Sequence, residues 1–475
     1  MNLDTDICYR AVKSRDHRFD GRFFTGVKTT GIYCRPVCPA VTPLLKNVDF
    51  YPCAAAAEKA GFRPCKRCRP ETSPGTPAWL GTSATVSRAL RYISEGALDS
   101  GRVDDLALRL GMGSRHLTRL FEDHLGATPI AVAQTRRVHF ARNLIEQSGL
   151  SMARVALASG FGSVKRFNVL VKQVFGATPT RLRQRAKTVS DPENTLVYRL
   201  AYRPPFDWPS LVSFLEGRAI PGVEHVTPEV YRRTISVNGT AGILEVTPVA
   251  GRDHLLMRAS LVDLDGAIGL VSRVRRMFDC GADPEVIGSH LSSDPLLAPL
   301  VKRHPGLRLP SAWDPFEMTV RAILGQQISV KGATTIAGRL VERLGIPLDS
   351  PRDGLTHIFP GPGVLAATDL AGLGLTTKRV ETVKTFAAAV ADGRLLLDAP
   401  LGVEDFVSRM IALPGIGPWT AQYVAMRALG EPDGFPASDL GLKHALPDVD
   451  LAAHAENWRP WRSYAALHLW ASLND

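Results

Sequence analysis

The sequence predicts a multidomain α+β protein. It reads as a small four-cysteine zinc module, an all-α tandem helix-turn-helix region, and a long α+β half whose last part is helical. Three observations predict this. Six of the seven cysteines lie in the first 70 of 475 residues. A segment of the middle region returns about fifty residues later. The C-terminal half opens on strand-like alternation and passes, from about Trp313, to helical patterns cut by short Gly/Pro turns.

Composition bounds the rest. Hydrophobic residues make up 45% and charged residues 22%, ordinary for a globular chain with room for three or four cores. No run of about 18 apolar residues is present, which argues against a membrane-spanning helix. The first residues, Met-Asn-Leu-Asp-Thr-Asp, are acidic and lack the apolar stretch of a secretory signal, so a cytoplasmic location is expected. Residues 1–190 hold 30 Lys and Arg against 14 Asp and Glu, and the remainder 27 against 32, within a net charge of +11. All the positive excess sits in the first two-fifths, a field that attracts nucleic acid. Glu71–Gly81 and Ala186–Thr195 have linker composition. The expected domains are 1–72, 82–187, 195–308 and 309–475.

The head carries Cys34-x3-Cys38 and Cys65-x2-Cys68, two short pairs 27 residues apart. Each pair brings two thiolates to one metal, and together they complete a tetrahedral zinc site. A redox reading of Cys65–Cys68 leaves the other pair unexplained. By spacing alone a purely structural zinc knuckle is favoured. The surrounding residues, "DGRFFTGVKTTGIYCRPVC" and "AAEKAGFRPCKRCRP", resemble the N-terminal domain of the Ada family over most of residues 5–72. That resemblance implies one Zn2+ held by Cys34, Cys38, Cys65 and Cys68, with Cys34 accepting a methyl group irreversibly from a methylated DNA phosphate. The chemistry is sound, since zinc keeps a thiol deprotonated at neutral pH. Methylation would also remove one negative charge beside a basic surface, turning damage into tighter promoter binding.

In the middle, "LGMGSRHLTRLFEDHLGATP" returns as "SGFGSVKRFNVLVKQVFGATP". Each copy reads as helix, Gly-containing turn and amphipathic helix, and the second helix suits a major groove. Ser114 and Ser163 are the expected caps of those second helices. The region resembles the DNA-binding part of AraC-type regulators over about residues 84–187. Arg115, His116, Arg119, Lys165, Arg166 and Asn168 are the candidate DNA contacts. Double-stranded DNA is the expected partner, with RNA polymerase a further one for an activator.

In the C-terminal half, Thr234–Pro248 holds an Asn-Gly turn between β-rich runs, a hairpin signal. Further on, "LPGIGPWTA" at Leu413–Ala421 places a Gly-x-Gly turn between helices. With "YRPPFDW", "RAILGQQISV" and "WRPWRSYAALHLW", it resembles the AlkA-type 3-methyladenine DNA glycosylases across residues 196–475. The resemblance implies an α+β glycosylase with an antiparallel-sheet subdomain and a helix-hairpin-helix domain. It implies a pocket of Phe214, Trp419, Tyr423 and Trp470 that stacks on electron-poor alkylated purines. It implies Asp439 as the catalytic carboxylate, although Ser438 or Asp439 alone also reads as a helix cap. DNA would be held at Gly415, Ile416 and Gly417, with a monovalent cation on the carbonyls around Leu413–Ile416. Some relatives carry a Leu wedge after the Gly-Gln pair, where this chain has Gln327. No Pro-Cys-His-Arg motif is present, so direct reversal of O6-methylguanine is not expected.

The reading is a fused repair enzyme and regulator, and nothing calls for more than a monomer. One alternative is a methylation-sensing regulator whose glycosylase half is inactive and scans DNA. Another is a structural zinc module that accepts no methyl group.

Overall fold

The computed structural model describes residues 3–74, 84–99, 101–184, 195–261, 264, 266–398 and 402–473. Most of the two linkers read from the sequence lies outside these residues. The chain forms two compact units. Residues 1–203, 249–275 and 280–283 make the first, and residues 204–248, 276–279 and 284–475 the second.

The first unit opens with α1 (Thr5–Ser14), capped by the Asp4 carboxylate, which accepts from the Ile7 N–H at 2.9 Å. A four-stranded sheet follows in the order β3-β1-β2-β4. Its members are β1 (Phe24–Val27), β2 (Ile32–Cys34), β3 (Val48–Tyr51) and β4 (Arg63–Pro64). β1 pairs antiparallel with β2 and β3, and β2 pairs parallel with β4. Gly26 is required within β1, because a Cβ there would meet the Tyr51 ring at 2.7 Å. α2 (Ala54–Lys59) covers one face of the sheet with Ala57, against Phe24 and Tyr33.

The helical region has α3 (Ala84–Ser94), α4 (Val103–Arg109), α5 (Ser114–Leu125), α6 (Pro129–Gln147), α7 (Met152–Ala158), α8 (Val164–Phe175) and α9 (Pro179–Gln184). The repeated Gly-Ala-Thr-Pro is a stop-and-start signal. Gly126 and Gly176 end α5 and α8 in the left-handed conformation, at φ 66° and 65°. Thr128 and Thr178 then accept from Ala131 N and Arg181 N, and Pro129 and Pro179 open the next helices. Ser163 caps α8 as expected, accepting from Arg166 N. Ser114 does not cap α5; it is the first helical residue, Gly113 occupies the cap position, and no side chain bonds there. Glycine already permits the turn, so the serine falls one place inside the helix. Leu106, Ala107, Leu110, Leu117, Phe121 and Leu125 form the core of the first helix-turn-helix. The unit also holds β5 (Thr195–Ala201), paired antiparallel with the strand His254–Leu261.

The second unit begins with α10 (Trp208–Glu216), capped by Asp207. An antiparallel meander follows: β6 (Glu224–Thr227), β7 (Val230–Val237) and β8 (Thr240–Pro248). Asn238 and Gly239 both have positive φ, 51° and 80°, the two-residue turn that matches strand twist. A buried ion network ties the meander to the helix Pro315–Leu324. Arg233 Nη2 meets Glu317 Oε2 at 2.6 Å, and Arg321 Nη1 meets Glu224 Oε2 at 3.0 Å. The remaining helices pack around an apolar core that includes Phe316 and Phe386, stacked at 5.4 Å.

Candidate functional site

In the first unit, the end of β2, the segment that follows it and the turn after β4 bring Cys34, Cys38, Cys65 and Cys68 together, with their ligand atoms all within 4.8 Å of one another. Cys38 Sγ and Cys65 Sγ are 4.0 Å apart. Zinc–sulfur bonds of about 2.3 Å set the sulfurs of a tetrahedral site roughly 3.8 Å apart, so four thiolates here fit a zinc ion. Two of the four sulfurs accept a backbone N–H. Arg35 N donates to Cys68 at 3.3 Å and Arg67 N to Cys65 at 3.4 Å. Among the described residues, no backbone N–H donates to Cys34 or Cys38. The Arg35 side chain is spent on structure: it donates to Asp20 Oδ1 at 2.8 Å and to the Cys68 carbonyl at 3.1 Å.

Tyr33, just before Cys34, points to the other face of the sheet and is fully buried. Its hydroxyl donates to Glu58 Oε1 at 2.9 Å. Glu58 also bonds His139 Nε2 at 2.9 Å and accepts from Thr135 Oγ1 at 2.7 Å, both residues of α6. Sequence reading missed this junction, because Glu58 and His139 are isolated polar residues 81 positions apart. Arg115, His116 and Arg119 on α5, and Lys165, Arg166 and Asn168 on α8, are all exposed.

In the second unit, a cavity of about 900 Å3 is lined by Phe214, Trp419, Tyr423, Trp470 and Asp439. Trp419 and Tyr423 sit four residues apart on the helix Pro418–Leu429 and so share one face. Asp439 caps the short helix Leu440–Ala445 through Leu442 N at 3.1 Å, and it does more. Its Oδ1 accepts from Trp470 Nε1 and its Oδ2 from Trp419 Nε1, each at 2.9 Å. The cap and the site residue read from the sequence are therefore one carboxylate. The aromatic residues do not form a simple slot. Trp419 and Tyr423 stack on each other at 5.1 Å, and Trp470 meets the Tyr423 edge at 6.2 Å.

Two arginines missed by sequence reading complete the cavity. Arg218 and Arg427 place their guanidinium carbons 3.7 and 4.5 Å from the Phe214 ring centre. Arg427 also donates to the Tyr423 hydroxyl at 2.9 Å. Burial pushes Tyr423 up, but Arg427, Arg218 and Arg321 more than reverse it and hold the phenol below its ordinary range. The signal was present, since each arginine lies four residues after a pocket aromatic.

At the hairpin, Gly415 has φ 83°, and a Cβ there would lie 2.0 Å from Thr382 Oγ1. Ile416 is buried in the helical core, so that turn offers backbone rather than this side chain. Gln326 Nε2 donates to Gly415 O at 3.0 Å and to Thr420 Oγ1 at 3.1 Å. Gln327 is exposed with φ 56°, a left-handed conformation costly for a residue with a Cβ.

Comparison with known proteins covers the regions that hold these residues. Residues 7–71 match the metal binding domain of Ada, 106–185 a helix-turn-helix domain, and 197–314 the AlkA N-terminal domain. A probable bifunctional transcriptional activator/DNA repair enzyme AlkA of Mycobacterium tuberculosis is 43% identical over 100% of this chain and 97% of its own. DNA-3-methyladenine glycosylase 2 of Escherichia coli is 35% identical over 58% of this chain and 96% of its own. The solved 3-methyladenine DNA-glycosylase of Archaeoglobus fulgidus shares the fold of the C-terminal half, at a TM-score of 0.50 and 22% identity over 58% of this chain and 97% of that one. Fold and sites together define a DNA-alkylation repair protein with a DNA-binding regulatory part. The chain belongs to the family of bifunctional transcriptional activator/DNA repair enzymes in which an Ada-type zinc module and helix-turn-helix region are fused to an AlkA-type DNA glycosylase. Among the described residues, no helix is long and apolar enough to cross a membrane.

Proposed function

We propose that the two halves carry out two reactions on alkylated DNA. In the second unit, Asp439 drives hydrolytic excision of alkylated purines such as 3-methyladenine. The observation that carries this reading is the Asp439 carboxylate, fixed by two indole N–H groups beside a cavity large enough for an extruded base. Fixed there, it stabilises the positive charge that develops on the sugar as the glycosidic bond lengthens, and it is placed to orient the attacking water. A cationic base is already a good leaving group. The arginines beside Phe214 put positive charge at that end, so the cationic ring belongs against Trp470 and Trp419, near Asp439. Gln327, at an exposed strained tip, would fill the gap left in the duplex. Gly415 and Gly417 would meet the DNA backbone. A cation on the hairpin carbonyls would add to bonds already made, since Gly415 O and Leu413 O both accept from the protein.

In the first unit, Cys34 takes the methyl group of a DNA methylphosphotriester. Zinc, when bound, supplies thiolates at neutral pH. Backbone N–H groups engage Cys65 and Cys68 and leave the lone pairs of Cys34 and Cys38 free, and Cys34 is the one of these two that the family resemblance makes the acceptor. Its methylation removes one negative charge and strengthens promoter binding through the exposed basic residues of α5 and α8. RNA polymerase would then be recruited at such promoters.

The deciding experiment is release of free 3-methyladenine from methylated duplex DNA by wild type and by Asp439→Asn. Release by wild type and a loss on the order of 10²–10³ in the variant are expected. Folded, DNA-binding protein that releases nothing would favour a scanning regulator instead. Mass spectrometry of Cys34 after exposure to methylated DNA tests the other half.

A further inference from the structure

Thr25 has a buried hydroxyl with no hydrogen-bond partner in the protein, and the residue is 2% exposed. Buried hydroxyls are normally paired, because an unbonded one loses its hydration for nothing. The β1–β2 register places Thr25 directly opposite Cys34. Opposed residues of an antiparallel pair project to one face, with Cβ atoms about 5 Å apart. Both line a cavity of about 340 Å3, whose floor continues through the next pair, Val27 and Ile32. Arg63, Lys66 and Arg67 line the same cavity and are exposed. The site therefore offers an apolar floor, one dry hydroxyl and a cationic rim. Thr25 Oγ1 bonds none of the four sulfurs, so its proton is uncommitted within the protein.

A methylphosphotriester is uncharged at the alkylated phosphate and flanked by anionic phosphodiesters. The apolar floor suits the neutral group, and the rim suits its neighbours. We propose that the Thr25 hydroxyl donates to a phosphoryl oxygen of the triester and aligns its methyl carbon with Cys34 Sγ. This rests on Cys34 being the methyl acceptor. In the transfer, the sulfur–carbon bond forms as the carbon–oxygen bond breaks. The electron pair stays on the ester oxygen, which leaves as a phosphodiester anion, and no proton moves. The Thr25 hydrogen bond strengthens as that negative charge develops.

The test uses the zinc-loaded full chain as wild type, Thr25→Val and Thr25→Ser. Each is offered a duplex with a single methylphosphotriester and, separately, methyl iodide, a donor with no phosphoryl oxygen. Methylation of Cys34 is followed by mass spectrometry, with zinc content and melting temperature measured alongside. Thr25→Val is expected to slow transfer from the triester roughly tenfold or more. Thr25→Ser should keep it within about threefold of wild type, since it restores the donor. All three should react equally with methyl iodide, and Thr25→Val should melt no lower than wild type. Unchanged triester transfer by Thr25→Val would overturn the proposal. So would equal slowing with both donors, which would place the effect on the thiolate or the fold. Wild type that takes methyl iodide on Cys34 but nothing from the triester would overturn the acceptor reading itself, and the role of Thr25 with it.

Discussion

The two cavities hold their proposed reactive groups, Cys34 and Asp439, in opposite ways. In the first unit, Cys34 receives no backbone donor, while Cys65 and Cys68 each receive one. In the second unit, the Asp439 carboxylate, proposed to act on the sugar, is tied on both oxygens by two indoles and a helix N-terminus. The difference follows from the chemistry. A nucleophile must present a free lone pair and change its bonding. A charge that stabilises a developing cation must stay where it is, and every bond that fixes it lowers the cost of reorganisation.

Removing zinc is the largest perturbation and acts on one side only. Structural zinc sites contribute roughly 10–16 kcal/mol of apparent binding free energy, so a strong chelator should unfold the cysteine module. Near-ultraviolet circular dichroism should change markedly, while base release persists. Loss of base release along with the zinc would break the comparison, because the two sites would then not be separately built.

A smaller effect is expected at the tied carboxylate. Trp419→Phe keeps the aromatic face but removes one donor to Asp439. A hydrogen bond to a charged group is worth about 1.5–3 kcal/mol, so base release should fall roughly ten- to hundredfold with little change in melting temperature. Wild-type release by this variant would mean that fixing the carboxylate is not what matters.

The smallest effect concerns His139. Burial pulls its pKa down, but the bonded Glu58 carboxylate, with Glu71 behind it, more than reverses this and holds it above the ordinary 6.5. A raised histidine stabilises fully below its unfolded pKa and loses that contribution as pH rises through the folded value. The stability of the first unit, read as its melting temperature, should therefore fall as pH rises from about 6.5. His139→Gln should flatten that slope. An equal slope in both proteins would show that the junction between sheet and α6 does not titrate.

Much was legible in the sequence because it is encoded locally. The cysteine spacing declares a shared metal, since short pairs converge whatever surrounds them. The Gly-Ala-Thr-Pro repeat encodes helix stop, cap and restart within four residues, and Asn238-Gly239 encodes its own turn. Asp439 was legible as a helix cap, which the geometry has, and the same carboxylate accepts from two indoles of the cavity. Ser114 was misread because the cap position depends on where the preceding turn ends, which glycine decided.

What only the tertiary structure decided are pairings between distant residues. Register placed the Thr25 hydroxyl opposite Cys34. Packing set Arg218 and Arg427 against Phe214, joined Glu58 to His139, and turned two indoles onto one carboxylate. Periodicity and spacing record which face of its own element a residue occupies. They carry no record of which other element comes to lie against that face, because burial drives that choice over the whole chain at once.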